Sequence, residues 1–93
     1  MVVTTYFNIT LTKYSKLADI SLQNIPFGKY FTDHMLEVDF ENGEWQTPQI
    51  RPYQPLQLDP SLAVFHYGQA IFEGIKAYKN IDGKVQIFRP YDN

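Results

Sequence analysis

The sequence predicts an α+β fold that is mainly antiparallel sheet with little helix. Three observations carry that expectation: short stretches alternate apolar and polar residues, two tight-turn signatures separate such stretches, and four prolines between Thr47 and Pro60 bar any long helix there. With 93 residues the chain suffices for one small domain, and a chain of this size buries only about 60 to 65% of the surface its unfolded form exposes. It has no cysteine, so neither a disulfide nor a thiolate metal site adds stability. Folding must rest on packing or on a partner.

Residues 1 to 26 read as an N-terminal extension. Within it, Tyr6, Asn8, Thr10 and Thr12 alternate with Phe7, Ile9 and Leu11, the pattern of a strand, expected at an edge of the sheet. Ile25-Pro26-Phe27-Gly28 is a punctuated loop, because proline fixes one dihedral and glycine opens the positive-φ region. A second strand is expected over His34 to Phe40, with Leu36, Val38 and Phe40 as its apolar face. Asn42-Gly43 then suits a primed hairpin turn, with Trp45 starting the return strand.

The proline-bearing stretch that follows is expected to be extended chain and connection. Pro60 to Phe65 has room for one helical turn. From Phe72 to Phe88 the pattern is a hairpin turning at Ile81-Asp82-Gly83, with Ile75, Ala77, Val85 and Ile87 on one side. Arg89 to Asn93 reads as a loop about to enter a helix, with Asp92 or Asn93 suited to the N-cap. About five strands result. A sheet with one bare apolar face is not a finished domain.

Charge and hydropathy exclude several functions. The formal net charge is −2 and no basic run occurs, which argues against a nucleic-acid surface. No stretch approaches the roughly 18 apolar residues of a membrane helix, and Met1 to Phe7 lacks the pattern of a secretory leader, so the expected location is the cytoplasm, with no membrane partner. Asn8-Ile9-Thr10 matches a glycosylation acceptor but carries no chemistry without a secretory signal. His34 and His66, far apart and without cysteines, do not make a metal site.

Three blocks carry more specific information: Phe27-Gly28-Lys29-Tyr30-Phe31-Thr32-Asp33-His34-Met35, then His66-Tyr67-Gly68 leading into Phe72-Glu73-Gly74-Ile75-Lys76-Ala77-Tyr78, then Phe88-Arg89-Pro90. In this order and spacing they resemble the fold-type IV, pyridoxal-phosphate-dependent aminotransferases, most closely the branched-chain amino acid aminotransferases. The resemblance covers residues 27 to 93, which it identifies as part of the small N-terminal domain, incomplete here. A relative acting on D-amino acids or on a chorismate product is disfavoured by the first block.

The resemblance implies that Phe27, Tyr67 and Phe72 line an apolar pocket for the substrate side chain. Such a pocket selects by burying methyl and methylene groups, each worth about 0.8 kcal/mol. The Tyr67 hydroxyl would be the polar handle in that wall. Gly68 and Gly74 suit close backbone approach, and Gly74, Glu73 and Lys76 are candidates for a minor role, against the alternative that Glu73 and Lys76 form a cross-strand pair on a solvated face. Thr32-Asp33-His34 is expected to be a local hydrogen-bonding cluster rather than an acid–base pair, and His66 to be structural.

The resemblance further implies reversible amino transfer between leucine, isoleucine or valine and 2-oxoglutarate, in a homodimer, as in branched-chain amino acid biosynthesis. Transamination requires a lysine that holds the cofactor covalently and relays the substrate proton. None of Lys13, Lys16, Lys29, Lys76, Lys79 and Lys84 matches that position, and the arginine that grips the phosphate is expected past Asn93. No catalytic residue is therefore assigned within these residues, and the chain alone is expected to be inactive. The alternative is a naturally short, non-catalytic binding or assembly module derived from the same domain.

Overall fold

The computed structural model describes residues 6–92. They form seven short strands, one α-helical turn and two 3-10 turns, Leu17–Asp19 and Pro90–Asp92, in two compact units divided between Leu56 and Gln57. The strand pairings are mostly antiparallel, with little helix, as the alternation predicts. The proposed N-cap at Asn93 lies outside the described residues.

In the first unit, β1 (Asn8–Ile9), β2 (His34–Glu37) and β5 (Gln49–Pro52) make a three-stranded sheet in the order β1-β5-β2. The central strand thus comes from the proline-rich stretch expected to be only a connection. Pro48 precedes β5 and Pro52 is its last residue, so the N–H groups of Gln49, Ile50 and Arg51 between them remain available to the ladder. The antiparallel register sets Leu36 opposite Ile50, and the parallel one sets Ile9 beside Ile50. These residues share one face, and Leu36 and Ile9 are both exposed on it. On the other face the Arg51 guanidinium pairs with the Glu37 carboxylate.

The strand expected over His34 to Phe40 breaks at Val38-Asp39. Phe40–Glu41 is a separate strand, β3, pairing with β4 (Glu44–Trp45) across Asn42-Gly43. Both turn residues have positive φ, +53° and +80°, as a type I′ turn demands. The Phe40 and Trp45 rings meet edge-on at 5.0 Å. Similarly, the strand expected from Tyr6 to Thr12 shrinks to Asn8–Ile9, because the Thr12 N–H leaves the ladder and donates to His34 Nε2 at 2.9 Å.

The second unit holds α1 (Ala63–His66) and a hairpin of β6 (Ala77–Lys79) with β7 (Val85–Ile87). Ala77 faces Ile87 and Lys79 faces Val85, the expected side. The hairpin is shorter than the Phe72 to Phe88 span its sequence suggests, and Ile75 stands outside it. Continuing the register would set Ile75 opposite Arg89, but Arg89 has φ +46°, outside the β region, and Pro90 has no N–H to offer. Glu73 and Lys76 are accordingly not a cross-strand pair. Asp92, proposed as an N-cap, instead lies in a 3-10 turn, Pro90–Asp92, where its carboxylate is paired with Arg89 Nε.

No described residue is fully buried. The elements present apolar faces that nothing in the described residues covers.

Candidate functional site

Phe27 opens the loop that leads into β2. Gly28 follows with φ +76°, a conformation that a side chain would strain, and the Lys29 N–H donates back to the Pro26 carbonyl at 3.4 Å. The turn presents the Phe27 ring wholly to solvent. In the second unit Tyr67 ends α1, its N–H donating to the Ala63 carbonyl at 2.8 Å, and Gly68 at φ +59° turns the chain away. Tyr67 is 86% exposed and Phe72 94%. Because Phe27 belongs to one unit and Tyr67 and Phe72 to the other, each is placed by its own unit. Gly74 and Lys76 lie in the irregular segment before β6, Lys76 with its side chain exposed.

The Thr32-Asp33-His34 cluster is far less local than its sequence suggests. Thr32 Oγ1 donates to the His34 carbonyl at 2.5 Å, but the other bonds reach back 17 to 22 residues. Asp33 Oδ1 accepts the Lys16 N–H at 2.8 Å, and Oδ2 accepts the Ser15 hydroxyl at 2.5 Å. The Asp33 carbonyl takes the Tyr53 N–H at 2.9 Å. The Tyr53 ring stacks on Phe31 at 5.4 Å and lies 5.7 Å from Lys16 Nζ. Hydrogen bonds from Ser15 and then from the Lys16 N–H favour the Asp33 carboxylate and hold its pKa below the ordinary 3.8.

Sequence reasoning missed Thr12, Ser15 and Lys16 as partners of this cluster. A Ser-Lys pair in an irregular segment carries no signal of which distant carboxylate it meets. It also missed an apolar depression of about 410 Å³, whose walls include Leu17, Ile20, Leu22 and Ile25 together with Tyr30 and Phe31.

In the second unit His66 Nε2 donates to the Pro60 carbonyl at 2.7 Å, the reverse of the role His34 Nε2 plays. Asp59 begins the turn into α1. Its Oδ1 accepts the Ser61 hydroxyl at 2.6 Å and N–H at 2.8 Å, which lowers its pKa.

The described residues do not fit pyridoxal phosphate. Its covalent partner must be a lysine sheltered from water, and its phosphate needs N–H groups or cations converging on one point. All six lysine side chains are exposed, so none is sheltered from water; the apolar depression has no cation among its lining residues, and a smaller one bordered by Lys16 and Lys29 also carries the Asp19 carboxylate. Among the described residues no cluster of histidine and carboxylate side chains is placed to hold a metal ion, and no helix is long and apolar enough to cross a membrane.

No protein-family model matches the chain. Individual proteins do. The chain is 58% identical over 71 residues to branched-chain-amino-acid transaminase 1 of Bacillus subtilis, a match covering 75% of this chain and 20% of that protein. It is 55% identical over 73 residues to the branched-chain-amino-acid aminotransferase of Mycolicibacterium smegmatis, covering 77% and 20%. With the cytosolic enzyme of that name from Saccharomyces cerevisiae it shares 58% over 66 residues, covering 69% and 17%. The chain spans about a fifth of the length of these relatives. Over the residues it shares with them, the chain is similar to the branched-chain-amino-acid aminotransferases.

Proposed function

We propose that these residues are the N-terminal part of a branched-chain amino acid aminotransferase, catalysing reversible amino transfer between leucine, isoleucine or valine and 2-oxoglutarate. In this account residues 27 to 93 belong to the fold-type IV small domain and residues 1 to 26 extend it. Phe27, Tyr67 and Phe72 supply one wall of the substrate pocket. The observation that supports this reading most strongly is the 58% identity over 71 residues to a branched-chain-amino-acid transaminase; Phe27 and Tyr67 each precede a glycine at positive φ, and Phe72 lies in an irregular segment.

An apolar wall has a simple chemical task. It withdraws the branched side chain from water and offers nothing to a polar one, so discrimination between substrates differing by one methylene reaches about 10- to 200-fold. The Tyr67 hydroxyl is the polar group suited to orient an oxygen of the substrate or cofactor. Gly74 lets the backbone approach closely, and Lys76 has at most a minor electrostatic role.

Pyridoxal phosphate, the cofactor proposed for the whole enzyme, supplies the electron sink for amino transfer. The covalent lysine and the phosphate-binding arginine would come from residues other than these 93. The whole enzyme is proposed to be a cytoplasmic homodimer, a state that would also cover the apolar faces left open in each unit.

The test is an assay of native protein captured from its source cell by an antibody against residues 27–93. Leucine-dependent conversion of 2-oxoglutarate to glutamate is expected; its absence overturns the proposal. The isolated chain should show no such activity. A borohydride-stable pyridoxyl adduct at a single lysine among Lys13, Lys16, Lys29, Lys76, Lys79 and Lys84 would contradict the assignment of the chemistry elsewhere.

A further inference from the structure

Asp33 closes a loop. Its carboxylate binds the Lys16 N–H at 2.8 Å and the Ser15 hydroxyl at 2.5 Å, so residues 16 to 33 leave and return to one point in the manner of an Ω-loop. The hydroxyl of Ser15 in turn accepts the Leu17 N–H at 3.1 Å, which ties down the first residue beyond the junction. On its other side Asp33 is fixed to the sheet, because its carbonyl takes the Tyr53 N–H and its neighbour His34 begins β2. Phe27 lies within this loop, six residues before Asp33.

Beyond this junction, the Phe31–Tyr53 stack and the Lys16–Tyr53 contact hold the loop near its two ends. Its internal backbone bonds are two 3-10 contacts near Asp19 and the long Lys29-to-Pro26 bond of 3.4 Å, and its apolar side chains border an open depression. Tying its ends together offsets the entropy that an unclosed segment would keep. We propose that Asp33 is a positioning residue for the substrate wall: by closing the 16–33 loop it fixes where Phe27 stands. This rests on the proposed function above. Asparagine at position 33 can still accept from Lys16 and donate to Ser15 Oγ, whereas alanine can do neither.

The test compares Asp33→Ala and Asp33→Asn with the parent in two measurements. In the first, trypsin cleavage after Lys29 is timed in the complete protein bearing these residues while amide exchange follows β2 and β5. Asp33→Ala should speed that cleavage about tenfold with sheet protection kept, and Asp33→Asn should restore most of the difference. In the second, the complete protein bearing these residues is assayed with leucine: Asp33→Ala should raise KM several-fold and change kcat less than twofold, again with recovery in Asp33→Asn.

Unchanged cleavage at Lys29, or equal loss of protection throughout the sheet, would overturn the loop-closing role. Faster cleavage with an unmoved KM would overturn the link to the substrate wall. A parent protein without leucine transamination would sink the functional proposal, and with it that link, while the cleavage result would still decide whether Asp33 closes the loop.

Discussion

His34 Nε2 accepts the N–H of Thr12 at 2.9 Å, so a residue at the head of β2 holds a segment 22 positions earlier in the chain. A ring nitrogen that accepts carries no proton, which assigns the other nitrogen, Nδ1, as the protonated one in the neutral ring. Glutamine sets its amide oxygen at about the place of Nε2. His34→Leu should therefore speed exchange of the Thr12 amide about tenfold, with His34→Gln much closer to the parent. Equal exchange in both variants would show that the imidazole bond does not hold this segment.

The lowered pKa of Asp33 makes the same region sensitive to acid. Because the folded value lies below the ordinary 3.8, the carboxylate's contribution is fully present above 3.8 and is lost as pH falls through the folded value. An NMR titration of the Asp33 carboxyl carbon should give a midpoint below 3.8, and Ser15→Ala, which removes the largest cause, should move it upward. A midpoint unaffected by Ser15→Ala would contradict the assigned cause.

In the β3–β4 hairpin Glu41 faces Glu44 directly, an unfavourable like-charge pair beside the turn. Glu41→Lys should stabilise the hairpin by about 0.5 kcal/mol. Gly43→Ala, by contrast, should cost about 1 kcal/mol, because residue 43 sits at φ +80°. Trp45 fluorescence during urea unfolding reports both changes through the Phe40–Trp45 contact. Equal effects of the two substitutions would mean that the turn geometry does not govern this hairpin.

Phe72→Ala in the complete protein should reduce kcat/KM for leucine about 10- to 100-fold, the loss expected for one aromatic wall residue, and leave cofactor affinity nearly unchanged. Steady-state kinetics alongside a cofactor titration separate the two. Parallel losses would identify Phe72 as a folding residue.

Much of the local structure was legible because it is dictated locally. Asn42-Gly43 and Gly83 announce their turns through the positive φ that glycine tolerates, and the alternation of Leu36 with its neighbours identifies the apolar face of β2. What was not legible depends on distant partners. Gln49 to Pro52 looks like a connection until β1 and β2 are seen on either side, and the break at Val38-Asp39 leaves no mark in the alternation. Ser15, Lys16 and Thr12 acquire meaning only through Asp33 and His34. The wall proposed for Phe27, Tyr67 and Phe72 rests on the motif, and all three side chains are exposed.

We propose that these residues are the front of a larger aminotransferase. The most direct test is the mass of the native polypeptide in its source cell, detected with an antibody against residues 27–93. A species several times heavier than 10.9 kDa is expected; a native species of 10.9 kDa would contradict the proposal and point to a short module working through a partner.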